Sequence, residues 1–431
     1  MAVFDFGAQN VLMWPGSPDT IDNNGLFAAE FDTTGSFEAL NMQNSGSGSG
    51  GTQTARVTVH AAGIQIINSI FAMGDPYADK GPSQFLLYSS TDAIAISPYD
   101  SEDPTATASI FAPRSGTVNE QEVGATFHLE SAGVTTLFGG DTTERTTEVL
   151  VGAAYQGGTV EIVSTGDGSG SGGSAEGVHI RNASIDVSHA VLDGEGMYLS
   201  STPAQVGGNV TVDGKKQVTI QDTTDITADG DTAGSIQVAS EGTASTAGQV
   251  VVNNESSTGY IRLSAQDSAT VFNALTSGGD IDILGAPRSS GNENVQITAG
   301  GPMGTGSITI TAVQNLNIIN AQLNAGNIAL AANNVNINSS LLSAGSASGA
   351  AGRIFITGYS SASILNSILQ ILGTTAGSGS GIYISSPTVN LAGTALKPGP
   401  TGSAQIYANT LVNPPASGSY VLNPYTGSGA P

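Results

Sequence analysis

Along most of this 431-residue chain the apolar residues stand singly, at alternate positions, among Gly, Ser, Thr, Ala and Asn. Alternation at period two predicts strands with one buried face, whereas an amphipathic helix would repeat at i, i+3, i+4 and i+7. The segment GNIALAANNVNINSSLLSAG (326–345) shows the pattern best: an alternating apolar pair, a gap, a second pair, another gap, a Leu and a closing Gly. Its expected inward set is Ile328, Leu330, Val335, Ile337 and Leu341. GSITITAVQNLNIINAQLNAG (306–326) and GIYISSPTVNLAGTALKPG (381–399) can be laid over it. The template recurs earlier as Val178/Ile180, Ile185/Val187 and Val191, then as Val210/Val212, Val218/Ile220 and Ile226, and more loosely as Val57/Val59, Ile64/Ile66 and Ile70. First strands at Ile308, Ile328, Ile354, Ile382 and Ile406 are 20, 26, 28 and 24 residues apart.

Units of this length cannot bury their apolar faces alone; stacked, they predict a parallel β-solenoid, with inward Val, Ile and Leu falling into columns. Corners at Asn315, Asn333 and Asn334 suit left-handed backbone and side-chain ladders. A β-sandwich is the competing all-β fold, but two-residue hairpin signals are scarce. The expected organisation is an N-terminal cap or assembly segment at 1–50, a solenoid at 51–410 and a Pro/Gly-rich cap or tail at 411–431. Within the solenoid, irregular acidic coils (51–156) precede regular ones (157–410).

The repeat grammar of GNIALAANNVNINSSLLSAG, extending over roughly residues 157–410, resembles the filamentous-haemagglutinin-like exoproteins and autotransporter passenger domains of bacteria. The resemblance implies an all-β, right-handed parallel β-helix, extracellular or cell-surface, working in adhesion. The expected function is therefore structural and non-enzymatic: an adhesin, or a subunit of a self-assembling extracellular fibre. The alternative is a β-helical carbohydrate-active or glycan-binding protein of the polysaccharide-lyase or tailspike type.

Composition narrows the partners. Hydrophobic residues at 39% are too many for a disordered chain, and no run reaches the 18 or so apolar residues of a membrane helix. Cysteine is absent, which excludes disulfides, thiolate metal sites and a cysteine nucleophile. The net charge of −24 is uneven: residues 1–150 carry 18 Asp+Glu against 4 Lys+Arg, residues 151–300 carry 17 against 5, and residues 301–431 carry only Arg353 and Lys397. Two-thirds of the chain thus repels nucleic acid and anionic lipid, while the last third has little charge to keep copies apart.

Candidate chemistry is sparse. His60, His128 and His179 are expected to point outward, without zinc-ligand spacing. Asp213, Asp222, Asp225, Asp229 and Asp231 cluster within two repeats, read first as a solvated acidic loop; calcium and general acid–base catalysis are the alternatives, and no cofactor is otherwise expected. The expected outward residue of each first strand runs from Glu161 and His179 through Thr309 and Ala329 to Phe355, Tyr383 and Tyr407. Such an aromatic row either stabilises its own strands by stacking or forms an interface or sugar platform. With the N-terminal apolar positions Val3, Phe4, Phe6, Val11, Leu12 and Trp14, it makes self-association head to tail the expected contact; a host or cell-surface glycan or protein is the other candidate partner.

Overall fold

The structure is a computed structural model. It describes residues 2–7, 11–13, 28–33, 37–40, 43–44, 56–67, 70–72, 84–97, 109–111, 117–118, 121–139, 147–153, 155–166, 177–191, 199–215, 217–222, 224–229, 232–240, 249–254, 261–265, 268–273, 281–285, 295–299, 306–346, 349–375, 379–399 and 403–427. Among these residues there is no helix; the strands lie in open, overwhelmingly parallel sheets, as the period-two pattern predicts. The parallel sense disposes of the sandwich, whose sheets are antiparallel. The chain divides into two compact units, Met1–Ile236 and Gln237–Pro431.

In the first unit three strand series recur in fixed order, and each strand pairs with its equivalent one repeat later. The first series sets Phe4, Phe31, Val59, Leu87, Leu129, Ile162 and Val212 opposite one another in turn. The second aligns Ile66, Ile96, Leu137, Ile180 and Ile220, and the third aligns Phe71, Ile110, Val149, Ile185 and Ile226. Where side-chain exposure is described, these members are essentially inaccessible to water. Burying such a side chain contributes about 1.5–3 kcal/mol. Phe85 and Phe127 stack within the same interior, ring centroids 5.7 Å apart. Residues 1–50, expected as a cap, contribute Ala2–Gly7 and Val11–Met13, which pair in parallel with Ala28–Thr33 and Phe37–Leu40.

One expected alignment is out of phase. Val178/Ile180 is not the counterpart of Val210/Val212: it is a second-series strand facing Val218 and Ile220, and the first strand of its repeat is Thr159–Ser164, facing Val210 and Val212 through Val160 and Ile162. The thirteen residues from Thr165 to Gly177 separate the two strands of that repeat, so a short template skips over them.

The second unit has the same three-series plan. Val271, Ile310, Leu330, Ile356, Ile384, Ile406 and Leu422 align in one column, and Leu316, Val335, Ala362, Val389 and Leu411 in another. Ile328, Leu330, Val335 and Ile337 are buried as expected, but Leu342 takes the inward place assigned to Leu341. Ser339, with φ of 52°, and the buried Ser340 shift the phase at the preceding corner. The same corner carries Asn320 (φ 50°) and Asn366 (φ 49°), so the left-handed positions are these and not Asn315, Asn333 or Asn334. Asn and Ser tolerate that region because their short polar side chains bond locally. A ladder does form at the neighbouring corner, where Asn334 Nδ2 donates to Asn315 Oδ1 at 3.1 Å and Ser361 Oγ to Asn334 Oδ1 at 2.9 Å. Buried hydroxyls complete the stack: Ser340 Oγ accepts from Ala321 N, and Ser367 Oγ accepts from Ser340 N.

Candidate functional site

A buried polar cluster around Asp186 was not among the sequence candidates. Asp186 lies in the third-series strand Ala183–Val191 and is only 6% exposed. Its Oδ1 accepts hydrogen bonds from Ser188 N (2.8 Å), Ser188 Oγ (2.9 Å) and His189 N (3.0 Å), and its Oδ2 pairs with His189 Nδ1 at 2.9 Å. An aspartate that bonds the backbone two and three residues on ends regular pairing locally. Here the strand slips register against Thr147–Gly152 and turns to antiparallel pairing with Leu199–Pro203. The spacing Asp-x-Ser-His was the available signal, obscured because Ser and Asp also occupy ordinary corners in this chain.

Ser, His and Asp in contact invite comparison with a nucleophile–base pair. Such a pair needs the serine on the imidazole nitrogen opposite the one bonded to the carboxylate. Here Ser188 Oγ is fully buried, lies 3.3 Å from the same Nδ1 that Asp186 holds, and donates to the carboxylate. The cluster is therefore a structural lock on the strand.

The hydrogen bond to Asp186 raises the His189 pKa above its ordinary 6.5; burial opposes the rise, and the negative charges of Asp186, Asp229 and Asp225 add to it. A raised folded-state pKa means the protonated pair contributes its full stability below about 6.5 and loses it as pH climbs through the folded value. The melting temperature of the first unit is expected to fall as pH rises from about 6.5 through the raised folded value. Subtracting the profile of a His189→Gln variant isolates this component, and two superimposable profiles would refute it.

The described members of the predicted acidic group stand on different elements, with Asp225 and Asp229 near enough to His189 to act on its charge. Asp213 lies on the first-series strand Val206–Gly214, and Asp222 is at a left-handed corner, paired with Arg181, whose guanidinium also sits 5.5 Å over Phe138. Asp225 is on the third-series strand Thr224–Ala228, Asp229 follows it, and Asp231 lies outside the described residues. No group of three or more acidic or histidine side chains among the described residues is placed to hold a metal ion. His128 bridges Glu161 (Nδ1 to Oε2, 2.9 Å) and Glu130 (Nε2 to Oε2, 3.4 Å), and Tyr88 lies between it and His60, stacked on His60 at 4.7 Å.

The aromatic row is shorter than expected. Phe355 and Tyr383 face each other in register and stack at 4.9 Å, but Tyr383 is 9% exposed and its hydroxyl donates to the Gly379 carbonyl. Tyr407 does not join them: Tyr383 faces Gln405, and Tyr407 faces Ser385. The first-series strand Ser403–Tyr407 places Ala404, not Ile406, opposite Ile382, a shift of two residues that preserves alternation and so is invisible to it. Of the N-terminal candidates, Val3, Phe4 and Phe6 lie on Ala2–Gly7 and Val11 and Leu12 on Val11–Met13, while Trp14 lies outside the described residues. Among the described residues the exposed large apolar side chains are elsewhere, at Tyr359, Ile368, Val412, Val421 and Leu422.

Fold and site together define an all-β protein of stacked parallel strand repeats, with a buried aliphatic interior and polar clusters that serve the corners. No family model, no curated protein and no solved structure matches the chain.

Proposed function

We propose that each unit is a right-handed parallel β-helix, three strands to the turn, and that the chain is a secreted or cell-surface structural protein that acts by adhesion and association. The observation that carries this reading is the constant order of the three series, each strand facing its equivalent one repeat later. A chain winding steadily in one direction produces that register, and parallel crossovers are right-handed in nearly all proteins. The likeness of its repeats to those of bacterial filamentous-haemagglutinin-like exoproteins supports the same reading. Purified protein is expected to bind immobilised glycans, host-cell surfaces or itself without releasing reducing ends or unsaturated products from polysaccharides. Turnover of any polysaccharide would overturn the non-enzymatic reading in favour of the lyase or tailspike type.

A further inference from the structure

Val421–Asn423 is hydrogen-bonded in parallel to Ser403–Tyr407 along one edge, and no other described strand pairs with it. Leu422 continues the column of Ile356, Ile384 and Ile406, all essentially buried, yet it is 51% exposed. Val421, its neighbour in the strand, and Val412, which follows Thr410–Leu411, are 55% and 54% exposed. Edge strands are ordinarily guarded by charge, yet Lys397, itself exposed, is the single charged residue of 354–431. An interior position left open on an unguarded edge is a site for strand addition.

We propose that this edge receives the N-terminal strand Ala2–Gly7 of a second copy, joining copies head to tail. The inference rests on the β-helix reading above. Two observations select this occupant. Ala2–Gly7 is a first-series strand that pairs, among the described strands, only with Ala28–Thr33, and Phe4 is in register with Phe31 and Val59, the position of its series that Leu422 holds in its own; joining the two series in register sets position 4 opposite Leu422. Charge selects the same pairing. Residues 1–50 carry six carboxylates (Asp5, Asp19, Asp22, Glu30, Asp32 and Glu38) and no Lys or Arg, whereas the C-terminal edge offers only Lys397. Head against head sets acid against acid and tail against tail sets lysine against lysine; head to tail alone is attractive. A contact between unlike surfaces propagates, where a two-fold contact stops at a dimer.

The test uses the full chain, with mass measured by light scattering across concentration and fold by circular dichroism. Wild-type mass is expected to grow with concentration without a plateau at two copies. Leu422→Asp, blocking the tail, and Phe4→Asp, blocking the head, are each expected to remain single copies, and their equimolar mixture to form a species of two copies, because one intact head and one intact tail remain. If Phe4→Asp loses its β signal, a peptide of residues 1–8 added in excess takes its place and is expected to stop wild-type growth. A wild-type protein that keeps its β signal but stays a single copy at high concentration overturns the docking and leaves the β-helix standing. Dimers formed by Phe4→Asp alone would replace head-to-tail with tail-to-tail contact. A helical spectrum would overturn the β-helix reading itself.

Discussion

Ile328→Asp is expected to abolish or severely lower the cooperative melting transition of the second unit. Ile328 is fully buried, with Ile308 facing it on one side and Ile354 on the other. A carboxylate there would lose water and find only aliphatic neighbours, a cost of several kcal/mol against a domain stability of about 5–15. At about 2–4 °C per kcal/mol for a unit of this size, even 4 kcal/mol lowers the melting temperature by roughly 8–16 °C. Ile328→Val, which removes one methyl group, is expected to cost about 1 kcal/mol. Thr311→Asp, at an exposed place on the adjacent strand, should stay within about 0.5 kcal/mol. Thermal denaturation followed by circular dichroism separates the three, and equal melting of Ile328→Asp and wild type would show that the column is not an interior.

Gly158→Ala is expected to destabilise the first unit by about 3 kcal/mol, at the upper end for overpacking. A Cβ at Gly158 would collide with the Val151 carbonyl oxygen and lie 2.7 Å from Val151 Cγ2 and 2.8 Å from the Ala125 carbonyl oxygen. Gly208, beside the Asn209 that faces Thr159, and Gly124, two residues before Thr126–Ser131, close on the same corner, and a Cβ on either would strike the Gly158 backbone. Backbone closes on backbone through this corner, so no side-chain rotation can relieve the clash. Gly158 N also donates to the Val187 carbonyl at 2.7 Å, which anchors the corner to the third series. Gly63→Ala is the contrasting case: its nearest neighbour is Cβ of the exposed Asp92 at 3.2 Å, so the expected cost is below about 1 kcal/mol.

The Asp186–His189 lock and the open C-terminal edge escaped the sequence for different reasons. Asp186 looks like any other polar residue of an alternating strand, and only the register slip and the turn to antiparallel pairing make its carboxylate a local organiser. Leu422 has the apolar character of an inward residue, and it is one by register; its exposure depends on whether another strand covers it, which composition cannot express. The five clustered aspartates illustrate the converse. Proximity in sequence placed Asp213, Asp222 and Asp225 together, whereas the strands distribute them to a first series, a corner and a third series.

The amino-acid sequence by itself determined that the chain forms strands, that they pair in parallel repeats and, over residues 306–399, most of what faces inward, including Ile328, Leu330, Val335 and Ile337. Period-two alternation suffices for the strands and their faces, because it assigns each residue to a face whatever strand lies alongside, and the recurrence of a unit too short to bury its own apolar face supplies the parallel stacking. Tertiary structure alone decided which strand meets which: Val178 with Val218, Tyr407 with Ser385, and Leu342 inward where Leu341 was expected. A shift of two residues, or of one whole strand within a repeat, leaves the alternation unchanged and so carries no sequence signal. The choice among these registers is made by contacts between residues far apart in the chain: interstrand hydrogen bonds, glycine corners closed on backbone, and left-handed Asn and Ser positions that reset the phase.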